Sequence, residues 1–509
     1  MRDDSFSEIQ IQVEKTMTQS KGHVTVIGSG PGGCVVAIFL RQKEYCVTMI
    51  ERERFPRFHV GESLLPASQL IWERMGIAEQ LQHSGHTFKY AGDFRIGRTP
   101  VSHGKDILST IGHFNNFPRK DLAKRPYAYQ VERAVFDKQL QDFAVAQGVE
   151  LWDETSVEKV VFEGDRAVAV RVRNRGEAAQ DKPTDFVVDA SGRRCLIARQ
   201  LDCVELDPEI RTSAVFGHFQ GVTRDPGYRQ GFFNGYFIEY GWMWFIPLAN
   251  DVMSVGLVQN EPATFQWGND AEEILLDAIN RYEFIQTRFV KATQVGRVRR
   301  LKDLAYTTRQ FTGDGWLSIG DANFFVDPLY SSGVQIAHST GEMAADVICD
   351  YLSNERDPKA LAKYEKYIHA YRRTVFGPMR ALYRMMRNYE IIEGYVQSTG
   401  HWFGNFNNWF LRRANCWGSG HFDRYRWVLR VMEWGAKQYA RWGPYFFYLR
   451  GDDGWKAYER NRFTGPRLTI PKAGNMQSAE SGATGQEMGD AVNSPLPTKS
   501  EQARSLSVE

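Results

Sequence analysis

His23-Val24-Thr25-Val26-Ile27-Gly28-Ser29-Gly30-Pro31-Gly32-Gly33 begins a segment that continues through the apolar run Cys34 to Leu40 and ends on Cys46-Val47-Thr48-Met49-Ile50-Glu51. The pattern is strand, glycine turn, helix, strand. The spacing Gly28, Gly30, Gly33 is Gly-x-Gly-x-x-Gly, and an acid, Glu51, stands 23 residues after Gly28. Glycines at these positions permit a tight turn and let a pyrophosphate approach the amides of the helix start. The acid at the second strand's end is placed to take a ribose hydroxyl. A glycine turn alone is weak evidence; with two flanking strands and Glu51 it predicts a Rossmann-type dinucleotide-binding unit in an α/β fold.

The chain around this unit has 509 residues, enough for a sizeable core and more than one domain-sized body. Its 63 Lys and Arg nearly balance 61 Asp and Glu, so nothing favours a nucleic-acid partner. The six cysteines lack Cys-x-x-Cys spacing and read as reduced thiols, consistent with a cytoplasmic protein. No apolar run reaches the length of a membrane span. Residues 1–21 are polar and predict a flexible lead-in. Residues 464–509 turn to Gly, Ser, Thr and Pro and predict a disordered tail.

Between these ends, Phe55 to Pro66 is a loop and Ala67 to Leu81 predicts a helix. Thr87 to Phe94 reads as a strand, with Lys89 between Phe88 and Tyr90; a solvated strand lysine would look the same. Residues 97–126 are turn-rich and predict a long loop. Tyr129 to Arg133, followed by Phe136, Leu140 and Phe143, predicts the start of a helix with an apolar face, and Phe186 to Gly192 is a buried strand ending in a turn, Asp189-Ala190-Ser191-Gly192. From Ser213 to Gln259 several strands predict a second sheet. In Tyr240-Gly241-Trp242-Met243-Trp244-Phe245-Ile246-Pro247, Trp242 and Trp244 share one strand face and Pro247 marks the strand end. They form either core packing or the wall of a cavity. Gly315 to Asp321 is a buried strand ending in Gly320-Asp321, and Phe325 to Gly333 is a loop feeding a helix near Val334 to Leu352. The expected organisation is a core over 22–355 with a substrate sheet at about 80–130 and 200–300. A helical, aromatic-rich region follows over 356–463, where Trp402, Phe403, Phe406, Trp409 and Phe410 suit a packing face or an interaction surface.

The glycine motif with Glu51, Asp189-Ala190-Ser191-Gly192 and Gly320-Asp321 together resemble the large FAD-dependent monooxygenase fold, a Rossmann-type FAD domain with a β-sheet substrate domain. Trp242-x-Trp244-x-Ile246-Pro247 and Phe325-x-x-Pro328-x-x-Ser331-x-Gly333 resemble two motifs of the flavin-dependent halogenases. The loop from Phe55 to Pro66 looks like that of their phenol and pyrrole branch, which includes glycopeptide-type members. Tyr330 stands where tryptophan halogenases carry a glutamate, which speaks against free tryptophan as substrate.

The resemblance implies roles. Gly28, Gly30, Gly33, Glu51, Arg133, Asp321, Pro328 and Gly333 would bind FAD, which a separate flavin reductase would supply in reduced form. With oxygen, chloride or bromide held at the Ser332 and Gly333 amides would become hypohalous acid. That oxidant would travel to Lys89, which would hydrogen-bond it or form a chloramine. Burial between Phe88 and Tyr90 would favour the neutral amine. Trp242 and Trp244 would keep flavin and substrate apart, and Glu62 is a candidate charged partner near the flavin or substrate. No metal is expected. The substrate would be an electron-rich phenol or pyrrole, free or tethered to a carrier protein, in secondary-metabolite or antibiotic biosynthesis. Two competing expectations share the fold: an aromatic hydroxylase, which leaves Lys89 without a role, and a non-catalytic flavin-binding protein.

Overall fold

A computed structural model describes residues 21–97, 107–114, 126–238, 241–260, 270–385, 434 and 466–473. His23–Ile27 and Cys46–Ile50 lie side by side in parallel, with Val24 opposite Val47 and Ile27 opposite Ile50. The helix Pro31–Gln42 connects them. It is buried from Pro31 to Leu40 because the long helix Gly333–Ser353 and the helix Arg133–Ala146 also pack against it. An apolar surface on all sides is what such a central helix needs, and the run Cys34 to Leu40 supplies it.

These strands belong to a six-stranded sheet in the order Thr312–Gly313, Trp316–Ser318, Phe186–Asp189, His23–Ile27, Cys46–Ile50, Glu150–Trp152. All neighbours are parallel except the Thr312–Gly313 hairpin partner. Parallel strands bring their C-terminal ends to one edge, where ligands of such sheets bind. Here that edge collects the Gly28–Gly33 turn, Glu51, the segment 190–192 and Gly320-Asp321.

The second sheet has seven strands, ordered Thr293–Leu301, Thr212–Gln220, Val252–Asn260, Gly241–Pro247, Phe233–Ile238, Ala91–Gly97, Ile107–His113. Gly241–Pro247 is central and every residue in it is buried. Trp244 faces Gly235 on one neighbouring strand and Gly256 on the other. A Cβ built on Gly256 would lie 2.2 Å from Trp244 Cζ2, so the bare backbone at Gly256 gives the indole its bed.

Several expectations about elements are corrected. Thr87 to Phe94 is not one strand: Thr87–Lys89 pairs with Ala128–Gln130, and Ala91–Gly97 joins the seven-stranded sheet. The chain changes sheets at Tyr90, so Lys89 sits at the seam between them. The helix from Ala67 ends at Met75, because Gly76 takes a left-handed φ of 91°, and a short helix Ala78–Gln82 follows. The stretch read as a long loop contains the strand Ile107–His113, whose partner strand only tertiary pairing provides. The C-terminal region contributes the helix Pro358–Met385; Trp402, Phe403, Phe406, Trp409 and Phe410 lie outside the described residues.

The segment expected to be a disordered tail has an ordered stretch near its start. Gln294 N–H donates to Pro471 O at 2.8 Å, Ala473 N–H donates to Gln294 O at 2.9 Å, and Ile470 is buried. Leu468 N–H donates to Asn280 Oδ1 at 2.7 Å and Lys472 pairs with Glu272 at 2.7 Å. Polar composition hid this because the stretch is held mainly by backbone bonds to the sheet's edge strand, which otherwise exposes unpaired groups.

Substituting Gly256→Ala should lower the unfolding free energy by about 1–3 kcal/mol, since Trp244 cannot move without disturbing a central strand. Guanidinium denaturation reads the shift; an unchanged midpoint would show that the indole has room.

Candidate functional site

A cavity of about 290 Å³ opens at the C-terminal edge of the parallel sheet and runs to the face of the seven-stranded sheet. Gly28, Gly30, Glu51, Arg133, Asp321, Pro328, Ser332, Gly333, Glu62, Trp242 and Trp244 all line it. Gly33 lies just behind, and a Cβ there would meet Gly28 O at 2.0 Å, so this glycine allows the turn to fold onto its helix. Gly30 is different. An added Cβ would meet only Arg57 Nη2 at 3.7 Å, which leaves the space before the helix N-terminus free for a ligand. The open glycine, the helix amides and the nearby carboxylate fit a dinucleotide's pyrophosphate and ribose.

Glu51 is buried at its strand's end. Its Oε2 accepts from Ser29 N at 2.9 Å and Ser29 Oγ at 3.3 Å, and its Oε1 accepts from Glu53 N at 3.0 Å. It thus anchors the glycine turn. Arg133 is also pre-set: Nε and Nη2 make a two-pronged pair with Asp137 at 2.7 and 2.9 Å, while Nη1 donates to Val60 O at 2.7 Å. Burial works against the Asp137 carboxylate, but Arg133 and Arg57 outweigh it and hold its pKa below the ordinary value. Asp321 reaches the cavity from the Gly320–Ala322 turn. Burial raises its carboxyl to about 6, with Arg193 and Arg133 opposing.

At the inner end the two indoles tilt against each other, centroids 5.8 Å apart. Both are anchored. Trp244 Nε1 donates to Ser254 Oγ at 3.2 Å, and Trp242 Nε1 donates to Tyr383 Oη at 3.2 Å. Beside them the segment from Asp327 to Ser332 turns into the helix Gly333–Ser353. Leu329 N–H donates to Asp327 Oδ1 at 2.8 Å and Ser331 N–H to Pro328 O at 2.9 Å. Ser331 takes a φ of 55°, in the left-handed region. The Ser332 and Gly333 amides, expected to hold the halide, therefore begin a 21-residue helix in the cavity wall, where backbone dipoles favour an anion.

Lys89 is only 2% exposed. Its Nζ donates to Leu64 O at 3.0 Å and to Ser331 Oγ at 3.4 Å. Burial lowers its pKa to about 7. The expected flanking by Phe88 and Tyr90 is corrected: those rings stack on each other, 6.0 Å apart, because neighbours on an extended chain point away from Lys89. The ammonium position instead lies 5.5 Å from the rings of Phe114 and Phe233, one from the end of the Ile107–His113 strand and one from the sheet. Phe233 in turn touches Trp242, centroids 6.5 Å apart. Ser331, Phe233 and Trp242 line the cavity, and the first two reach from its wall to Lys89.

Glu62 has a partner the sequence did not disclose: His218 Nε2 lies 2.7 Å from its Oε1. Burial disfavours the imidazolium, but the hydrogen bond and charge of Glu62 win and raise the His218 pKa. Asp137, His218, Asp327 and Tyr383 are the site-supporting residues that motif reading missed. Asp327 lies inside a motif at a variable position. Asp137, His218 and Tyr383 carry no local signal; only the fold brings them in.

Lys89 gives a stability signature. The unfolded chain keeps the proton to about 10.5 and the folded chain sheds it near 7. The penalty is therefore complete below pH 7 and relieved as pH rises toward 10.5, a span of about 4–5 kcal/mol at most. The difference in unfolding free energy between Lys89→Met and the parent should shrink over that range. A difference independent of pH would show that Lys89 is charged in the folded protein.

A family model described as Tryptophan halogenase matches residues 23–114 and 107–390. A 1H-pyrrole-2-carbonyl (peptidyl-carrier protein) brominase of Pseudoalteromonas luteoviolacea is 31% identical over 346 residues, covering 65% of this chain and 78% of the relative. The corresponding chlorinase of Pseudomonas fluorescens is 27% identical over 361 residues, covering 68% of this chain and 80% of the relative. The solved structure of a myxobacterial chondrochloren halogenase, an FAD-dependent halogenase, superposes with a TM-score of 0.66 at 28% identity, covering 78% of this chain and 98% of that one. Since the family match takes in the glycine turn, Lys89 and the Ser331 turn alike, the chain belongs to the tryptophan halogenase family and is an FAD-dependent halogenase.

Proposed function

We propose that the protein halogenates an electron-rich aromatic ring, a phenol or pyrrole, with Lys89 as the residue that receives the oxidised halogen. The observation that carries this is a fully buried amine whose nearest side-chain partner, Ser331, belongs to the turn lining the flavin cavity. Reduced FAD, supplied by a separate flavin reductase, provides with oxygen the oxidising equivalent that turns chloride or bromide into hypohalous acid.

The rest of the work falls to the chain. Glu51, Arg133 and Asp321 orient the cofactor, and Gly28, Gly30 and Gly33 let it approach the backbone. The Ser332 and Gly333 amides hold the halide without offering a competing nucleophile. Trp242 and Trp244 exclude substrate from the cavity, which suppresses direct oxygenation of the ring. Glu62, paired with His218, keeps a proton within reach of the cavity wall. Lys89, neutral above about pH 7, hydrogen-bonds the oxidant or carries its halogen as a chloramine or bromamine. The pyrrole-carrier names of two relatives support a carrier-tethered pyrrole as one substrate form. Cysteine usage supports a cytoplasmic setting, and no helix among the described residues is long and apolar enough to cross a membrane.

The test combines the protein, FAD, a flavin reductase, NADH and chloride or bromide with phenols and pyrroles, free and carrier-bound. Mass spectrometry should find halogen isotope patterns, with a rate that rises as pH passes about 7. Lys89→Ala should reduce product by about 100-fold or more while FAD still binds. A hydroxylated product with NADPH and no reductase would establish the hydroxylase instead. A Lys89→Ala variant that still halogenates would remove the lysine from the mechanism.

A further inference from the structure

We propose that Tyr383 is a positioning residue for the reaction: it ties the Trp242 indole to the Asp327–Gly333 turn and thereby sets where the cavity wall stands relative to Lys89. This deepens the function proposed above and rests on its assignment of Lys89 and the halide turn.

Tyr383 lies near the end of the helix Pro358–Met385, far in sequence from both motifs it joins. Its Oη accepts from Trp242 Nε1 at 3.2 Å and donates to Asp327 Oδ2 at 2.6 Å. The other carboxyl oxygen of Asp327 accepts from Leu329 N at 2.8 Å. That second bond starts the turn that ends with Ser331 against Lys89. The circuit closes on the other side, because Lys89 Nζ faces Phe233 and Phe233 faces Trp242. One path of contacts therefore runs from wall to turn to lysine and back to the wall.

Trp242, Tyr383 and Asp327 are all buried. Without the phenol hydroxyl, an indole N–H and a carboxyl oxygen would each lose their partner where no bulk water reaches. The cheapest relief is movement, of the indole or of the turn, and either one changes the route from cavity to Lys89. Burial raises the Asp327 carboxyl to about 7, with the Tyr383 and Leu329 bonds pulling the other way, so removing the phenol donor pushes the acid further toward its neutral form and weakens its hold on the turn. Geometry of this kind matters steeply, because displacements near 1 Å at reacting groups cost large factors in rate.

Two variants of the full-length protein test the assignment, Tyr383→Phe and Asp327→Asn. In the protein without cofactor, hydrogen–deuterium exchange of the peptide 324–334 should rise by about ten-fold in Tyr383→Phe, with the Pro31–Gln42 helix unchanged. With FAD, reductase and halide, product formed per flavin oxidised should fall by about ten-fold, while FAD affinity and the rate of flavin oxidation stay within about two-fold. Asp327→Asn keeps the side chain's size and should shift both readouts in the same direction by less. Unchanged exchange at 324–334, or unchanged product per flavin, would overturn the proposal. So would exchange that rises evenly over the whole chain, which marks a merely structural residue. If Tyr383→Phe does not fold, Asp327→Asn decides alone on the same two readouts. If the parent protein makes no halogenated product, the proposed function fails, and the exchange experiment still judges the Tyr383 network by itself.

Discussion

Keeping an amine out of water beside a ligand cavity is the constraint around which this site is built. An ammonium ion loses its hydration when buried, and the interior returns little of it unless an anion stands close. Lys89 is offered a carbonyl and a hydroxyl, with two aromatic rings at 5.5 Å, and among the described residues no carboxylate replaces the lost water. The rings soften the penalty without cancelling it. The result is an amine that gives up its proton near neutrality. A lysine paired with an acid would have stayed charged, and could not have served in the role proposed for Lys89.

The position of that amine follows from a change of sheet. Because the chain leaves the Thr87–Lys89 ribbon and enters the seven-stranded sheet within two residues, Lys89 is caught between the two sheets. The Asp327–Gly333 turn reaches the same seam from the opposite direction. It serves three functions at once: it lines the cavity, it begins the long helix whose amides face the cavity, and it presents Ser331 to Lys89. The cavity and the lysine are thus joined by one short segment, not by a chain of separate elements.

The dinucleotide unit was legible from residues alone because its requirements are local. A glycine turn, an apolar helix and an acid at fixed spacing are needed wherever the unit occurs, and Gly33 against Gly28 O shows why. The tryptophans and the turn were legible as motifs. What escaped was whatever depends on pairing across the fold. The split at Tyr90 could not be seen, since both halves have ordinary strand composition. Phe114 and Phe233 reach Lys89 from far along the chain, whereas its sequence neighbours point elsewhere. Arg133 is held by Asp137, one helical turn on, but the burial that makes the pair matter is tertiary. The stretch 466–473 was misjudged for a related reason: backbone bonds to a sheet edge leave no trace in composition.

The wall also changes character once its hydrogen bonds are counted. Bulk and rigidity alone would be met by phenylalanine, which fills much of the same space. Each indole here spends its single N–H on a fixed partner, Ser254 for Trp244 and Tyr383 for Trp242, so both planes are locked as well as wide. Gly256 removes the side chain that would otherwise lift Trp244 off the sheet. Under the function proposed, a barrier that passes a small oxidant while stopping an aromatic ring needs a gap that does not fluctuate. A locked indole pair provides that, and a pair of freely rotating rings would not. The two tryptophans therefore act as oriented hydrogen-bonded plates, and their second partners are as much a part of the wall as the rings.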